Sequence, residues 1–209
     1  MGDFMIRNSL TSVKLRDRIT CLTILFLIAF VGITILSYAF LPEGFLLNKN
    51  NSTDFDTSAN LIVCTIQIFL WNMISVVGIA VSSIFAKKRN EHEEYVSLSY
   101  WIYFIGVLLA AITLGTWSFT NNIESVPIFK RIIGMFNVWE NAGLVELYGQ
   151  LLITCSLSNK YLIMTYKNKT ITRSMKDVRW AKSELICLVV GLLLMFIGAF
   201  IESCSILGA

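Results

Sequence analysis

Residues 132–157 read IIGMFNVWENAGLVELYGQLLITCSL. This stretch is long and apolar enough to cross a bilayer, which takes about 20 residues. Polar groups at such a depth are costly, and they face other helices or a wet cavity rather than lipid. The sequence therefore predicts a helix that faces the interior of a membrane protein. Its polar residues are Asn137, Glu140, Asn141, Glu146 and Gln150.

The rest of the chain has the composition of a membrane protein. Hydrophobic residues make up 56% of the 209 residues, and they are grouped in long blocks rather than scattered as in a soluble core. We therefore predict an all-α fold, a polytopic transmembrane helix bundle of about five spans that forms one integral membrane domain over residues 1–209. The expected spans are 19–41, 61–86, 99–119, 132–157 and 185–204.

The distribution of basic residues predicts the orientation. Most of them precede the first span or follow the second and the fourth, and only Lys49, Lys130 and Arg131 fall on the other side. Because basic residues favour the cytoplasmic side, we expect a cytoplasmic N-terminus and a multi-pass protein of the cell (plasma) membrane. The sequence leaves open whether residues 125–142 span the membrane, lie on it or re-enter it.

Polar residues of the fourth span fall on two faces of a helix. At 100° per residue, Asn137, Glu140 and Asn141 share one face, whereas Glu146 and Gln150 lie on nearly the opposite one. Glu146 is the carboxylate expected near mid-depth.

Asn72 in the second span is a candidate partner for Glu146, as are Gln67 and Glu202. Such groups either hold helices together by hydrogen bonds or serve transport or switching, and the sequence leaves both readings open. The candidate intramembrane polar site comprises Glu146, Gln150, Asn72, Glu140 and Asn141.

The segment 159–183 is the longest expected cytoplasmic connection. It interleaves basic residues with aromatic and aliphatic ones, a composition suited to an anionic leaflet or to a cytosolic partner. Topology alone also places basic residues there. The candidate partner-docking residues are Lys167, Lys169, Arg173, Lys176 and Arg179.

Sequence motifs of catalysis are not apparent. The chain has no nucleotide-binding G-x-x-x-x-G-K-[ST] loop and no G-x-S-x-G, and its single histidine, His92, lacks the H-E-x-x-H spacing. Its five cysteines form no C-x-x-C pair. We expect no enzyme, no cofactor and no metal. The net charge of +3 follows from topology, so no nucleic-acid partner is expected.

Small residues four apart predict close helix packing in a bundle or homo-oligomer. The pairs are Gly78 and Ser82, Gly106 and Ala110, and Ala111 and Gly115.

Three short segments carry a family resemblance: IFLWN at 68–72, GLVEL at 143–147 and IGAFIE at 197–202. In order and kind they resemble the SpoIIM-like family, the stage II sporulation protein M type of bacterial polytopic membrane protein. That family has a phenylalanine-leucine-x-asparagine run, a histidine-glycine pair followed by a glutamate, and a closing alanine-x-isoleucine-glutamate run. Ala142 stands here where the histidine would be, and the proline before that element is missing. A function tied to that histidine is therefore in doubt.

The resemblance implies a non-enzymatic subunit of a membrane complex. Relatives act in cell-wall remodelling assemblies during sporulation, and similar small members accompany circular bacteriocins, where they look like export or self-protection proteins. The short exterior loops favour the second setting. Expected partners are the lipid bilayer, a separate ATPase or other membrane subunits. The alternative is a small proton- or ion-coupled transporter or channel that uses Glu146.

Overall fold

The structure is a computed structural model that describes residues 2–47, 58–88, 91, 94–119, 126–137, 142–167 and 169–208, with side chains from Ile6 onward. This part of the chain is mostly helical. Its helices are α1 (Gly2–Leu10), α2 (Leu15–Phe40), α3 (Leu61–Ser83), α4 (Ser99–Gly115), α5 (Ile128–Met135), α6 (Gly143–Leu157) and α7 (Lys182–Leu207). Its strands are β1 (Phe85–Lys87), β2 (Val96–Ser97), β3 (Ile163–Tyr166) and β4 (Lys169–Thr172).

Three helices, α2, α3 and α7, are long and apolar enough to cross a membrane. Local signals set their ends. Asn60 caps α3, since its side-chain oxygen accepts hydrogen bonds from the backbone N–H groups of Ile62 and Val63. Helix α2 ends just before Pro42, which disfavours helical backbone at the residue before it. Helix α7 ends at Gly208, whose φ of 66° is the left-handed conformation of a C-terminal cap.

Helices α4 and α6 are shorter. Their 17 and 15 residues rise about 25 and 22 Å, less than the roughly 30 Å of a hydrocarbon core. Of the five expected spans, three therefore correspond to helices of full crossing length within the described residues.

The expectation of one helix over 132–157 is wrong. The chain forms two helices there, α5 and α6, and Phe136 and Asn137 lie outside both. The local sequence explains the break, because Asn137 and Gly143 are poor helix formers. Residues 138–141, which include Glu140 and Asn141, lie outside the described residues.

A small sheet corrects the all-α expectation. Its strand order is β2-β1-β3-β4, with β1 and β3 parallel and the two outer pairs antiparallel. Strand β1 begins where the second span was expected to continue, so α3 ends at Ser83 rather than at residue 86. Strands β3 and β4 lie in the segment expected to be a basic connection. Strands of two to four residues are too short to show a recognisable alternation in the sequence.

The sheet defines one end of the bundle. We call it the sheet end: it holds α1, the start of α2, the end of α3, the four strands and the start of α7. The opposite end, the loop end, holds Glu43, Asn60, α5 and the end of α7. The sheet ties several helix ends together, because β1 follows α3, β2 precedes α4, and β3 follows α6.

Glycines allow the closest helix crossings. A Cβ atom at Gly149 would lie 2.7 Å from the carbonyl oxygen of Gly191, and one at Gly191 would lie 2.7 Å from the carbonyl oxygen of Gly149. Helices α6 and α7 therefore touch backbone to backbone. Gly115 of α4 packs against α2 in the same way, because a Cβ atom at Gly115 would lie 2.6 Å from the carbonyl oxygen of Thr34. The small-residue pattern thus marks a contact within the bundle, with α2 as the partner of Gly115.

Candidate functional site

Glu146 and Asn72, which the sequence proposed as partners, lie in contact. The Asn72 amide Nδ2 donates a hydrogen bond of 2.6 Å to Glu146 Oε1. Asn72 is near the middle of α3, whereas Glu146 is in the first turn of α6. The first turn of α6 therefore lies level with the middle of α3, well inside the bundle.

Helix α7 completes the surroundings of Glu146. A Cβ atom at Gly198 would overlap Glu146 Cγ and would lie 3.2 Å from Glu146 Cδ, so only glycine leaves room for this side chain. Glu146 is therefore enclosed between α3, α6 and α7.

The other candidate residues of the polar site have contacts of their own. Gln150 faces α4, since its Oε1 is 3.8 Å from where a Cβ of Gly106 would be. Gln67 accepts a hydrogen bond of 3.0 Å from the backbone N–H of Ser58. Glu202 is exposed one helical turn beyond Gly198, and it is close enough to Glu146 for the two carboxylates to repel each other. Glu140 and Asn141 lie outside the described residues; of the three described members of the site, a hydrogen bond joins Glu146 and Asn72.

The candidate docking residues all lie at the sheet end. Lys167 occupies the turn between β3 and β4 with a φ of 49° and forms an exposed ion pair of 3.3 Å with Glu91. Arg173 is half-buried and donates to the backbone carbonyl of Asp177. The remaining three residues are exposed: Lys169, Lys176 and Arg179. Together the five form a basic surface, which we call the basic platform.

Reasoning from sequence missed a buried ion cluster at the sheet end. Arg18 is fully buried; its Nη2 lies 2.7 Å from Glu184 Oε1, and its Nη1 donates to Ser158 Oγ at 3.2 Å. Lys160 Nζ lies 2.5 Å from the second oxygen of Glu184 and also donates to the Arg179 carbonyl. We call Arg18, Ser158, Lys160 and Glu184 the sheet-end cluster. It joins α2, the end of α6 and the start of α7.

A signal for this cluster was present. Arg18 and Glu184 each lie in the first turn of a long apolar helix, and the topology expected from the basic residues places both turns at the same membrane boundary. Arg18 entered the prediction only as one of the basic residues that precede the first span, so its pairing with Glu184 was not predicted.

A second buried arginine lies at the loop end. Arg131 of α5 pairs with Glu43 and donates to the carbonyl of Gly115, and its Nε donates to the carbonyl of Val126 at 2.7 Å. Its guanidinium carbon lies 4.8 Å from the ring centre of Tyr38 and 5.6 Å from that of Trp117. We call Arg131 and Glu43 with these neighbours the loop-end cluster. The distribution of basic residues had predicted only that Arg131 lies on the exterior side.

The side chains of these clusters could support only a few kinds of chemistry. Among the described residues, no three His, Cys, Asp or Glu side chains lie together as metal ligands would. The Glu146–Asn72 pair offers a carboxylate that can exchange a proton inside the bundle, and the basic platform offers exposed cations. Comparison with known protein families, curated proteins and solved structures finds no match to this chain.

Proposed function

We propose that this chain is a multi-pass integral membrane protein whose bundle crosses the bilayer about five times with the sheet end in the cytoplasm. Exposed apolar side chains on the three long helices support a lipid-facing surface, since soluble monomers rarely expose apolar patches of this extent. Examples are Ile28 on α2, Leu70 and Ile74 on α3, and Ile186 and Leu193 on α7. Basic residues concentrated at the sheet end support the orientation.

Within that setting, the chain acts as a non-enzymatic subunit of a membrane complex. The observation that carries this function is the basic platform, whose Lys169, Lys176 and Arg179 are exposed on a rigid sheet and the turn that follows it. A positively charged surface of this kind suits an acidic surface on a cytosolic subunit, such as a separate ATPase. The biological setting is peptide (bacteriocin) export or self-protection, or a cell-wall or sporulation assembly, as the SpoIIM-like resemblance suggests.

The test is recovery of partners from native membranes in mild detergent. The tagged wild-type chain is compared with a variant in which Lys169, Lys176 and Arg179 are each changed to Gln. Loss of a co-purifying subunit from the variant supports the proposal, and identical partner-free preparations of both chains would overturn it. A matched control changes Lys130, exposed at the loop end, to Gln and retains the partner.

The peptide setting has a separate test. Deletion of the gene in a producing strain is expected to lower peptide secretion or the tolerance of the strain to its own peptide. Unchanged secretion together with unchanged tolerance would refute that setting while leaving the complex-subunit function intact.

A second function is supported by the 2.6 Å hydrogen bond between Asn72 and Glu146. A carboxylate held by an amide in the interior of a bundle is typical of proton- or ion-coupled transporters. If this function is correct, proton flux into vesicles that contain the purified chain falls to the leak of empty vesicles in Glu146→Gln. Glu94→Gln is the control, because Glu94 is an exposed carboxylate at the sheet end, away from Glu146. Equal flux in wild type and Glu146→Gln would exclude the transporter.

A further inference from the structure

An apolar cavity of about 560 Å³ lies at the sheet end, and the described residues that line it include neither Glu146 nor any member of the two arginine clusters. Residues of α1, α2, α4 and the β1–β2 pair line it. Its apolar walls include Leu25 of α2, and Trp101 and Phe104 of α4. The carbonyl oxygen of Leu10, the last residue of α1, accepts a hydrogen bond of 2.8 Å from the Tyr100 hydroxyl, which fixes α1 beside the cavity.

The charged residues that line the cavity all have the same sign. They are Arg7 on α1, and Lys87 and Lys88 at the end of β1; no acidic residue is among the described residues that line it. Lys87 is exposed. The Nζ atom of Lys88 lies 5.2 Å and 4.8 Å from the ring centres of Tyr95 and Tyr166, so aromatic faces hold this cation near the cavity. The cavity thus joins apolar walls to a positively charged rim.

Apolar walls beside a positively charged rim suit an amphiphile with an anionic headgroup. Trp101 lines the cavity and is 69% exposed, so the cavity opens at the outer surface of α4. Ile24 on α2 and Ile105 on α4 are exposed next to lining residues of the same helices and extend the apolar surface away from the basic rim. Tryptophan is favoured at the boundary between headgroups and acyl chains. The cavity therefore lies where a lipid of the cytoplasmic leaflet would meet the protein.

We propose that this cavity binds one anionic phospholipid, with its phosphate near Lys87 and Lys88 and an acyl chain along Leu25 and Phe104. The proposal rests on the membrane position proposed above. The same-sign charge of the rim selects an anionic headgroup, and the apolar walls require an attached acyl chain. An inorganic or soluble organic phosphate would use the rim and leave the walls uncovered.

The first experiment is a lipid titration of the purified chain in neutral detergent, followed by native mass spectrometry, with phosphatidylglycerol and phosphatidylcholine compared. We expect one phosphatidylglycerol to bind in preference to phosphatidylcholine. The double variant Lys87→Gln, Lys88→Gln is expected to bind phosphatidylglycerol roughly 25-fold more weakly, about fivefold for each cation near a headgroup. The matched control, Lys14→Gln with Lys182→Gln, removes two exposed cations of the same end that do not line the cavity, and it keeps wild-type binding.

A second variant tests the cavity itself. Leu25→Trp fills the space beside Phe104 without changing charge, and we expect it to abolish selective phosphatidylglycerol binding. Unchanged binding in Leu25→Trp, or equal binding of the two lipids by the wild type, would overturn the proposal. Displacement of the lipid by glycerol phosphate at similar concentration would also overturn it, since the site would then recognise a soluble phosphate.

Failure of the lipid site is distinguishable from failure of the proposed function. Alkaline extraction of membranes reports whether the wild-type chain is embedded in the bilayer, and partner recovery depends on the basic platform rather than on Lys87 or Lys88. A chain that stays in the membrane and keeps its partner but shows no lipid preference contradicts the lipid site alone.

Discussion

The two buried arginines, Arg18 and Arg131, have their positive charges compensated by different sets of partners. At the sheet end, Arg18 is neutralised by Glu184, whose side chain is only 7% exposed and which also binds Lys160. At the loop end, Arg131 is paired with Glu43, whose side chain is 28% exposed. The Arg131 guanidinium also donates hydrogen bonds to two backbone carbonyls and lies against aromatic rings. The sheet-end cluster depends on one buried carboxylate, whereas the loop-end cluster spreads its bonds over several partners.

This difference predicts how each end tolerates change. Removal of one member of a buried ion pair leaves an uncompensated charge, and the loss is greatest where water cannot reach it. As a whole side chain Glu43 is more exposed than Glu184, although its Oε2 atom is buried. The sheet end is therefore expected to be the more sensitive of the two.

The largest effect is expected for Glu184→Ala. This change leaves Arg18 and Lys160 buried without their carboxylate, and we expect the free energy of unfolding to fall by about 3–5 kcal/mol. Unfolding by SDS in mixed micelles, followed by circular dichroism, measures it. Glu94→Ala, which removes an exposed carboxylate of the same end, is the control. A loss below about 1 kcal/mol would contradict a buried ion cluster at this position.

The next effect is expected for Arg131→Met. The carbonyls of Gly115 and Val126 lose their donor, and Glu43 must turn its partly exposed side chain toward water, so we expect a loss of about 2–3 kcal/mol in the same assay. Lys130→Met, at the exposed neighbouring position, serves as control and is expected to change little. A loss larger than that of Glu184→Ala would reverse the order of the two ends.

Double-mutant cycles sharpen the comparison by isolating each pair. With glutamine replacements, we expect a coupling energy of about 2 kcal/mol between Arg18 and Glu184, and of about 1 kcal/mol or less between Arg131 and Glu43. Equal couplings would mean that exposure of the carboxylate does not separate the two clusters.

The smallest effect is expected for Lys160→Met. Glu184 keeps Arg18 as its partner, and methionine keeps most of the apolar length of the side chain, so we expect a loss of about 1 kcal/mol. Lys182→Met, an exposed change at the start of α7, is the matched control in the unfolding assay. A loss as large as that of Glu184→Ala would show that Lys160, and not Arg18, is the main partner of the carboxylate.

Helical structure and the three longest apolar helices were predictable, because a run of apolar residues reports helix length directly. Asn72 was also named in advance as a partner of Glu146. The path of residues 125–142 was left open, but the break between α5 and α6 was not placed, because hydropathy averaged over the whole stretch hides a few polar residues and a glycine. The sheet was missed for a similar reason, since its strands are shorter than the window in which a pattern can be read.

By itself, the sequence determined that this chain is rich in long apolar helices and that its basic residues collect at particular connections. Those properties depend on composition and on the order of residues along the chain. Only the tertiary structure decided that Arg18, Lys160 and Glu184 meet, that Gly149 and Gly191 touch, and that Gln150 lies against Gly106 of α4. The physical reason is that each of these contacts joins residues on different helices, and their distance depends on how those helices cross rather than on their spacing in the sequence.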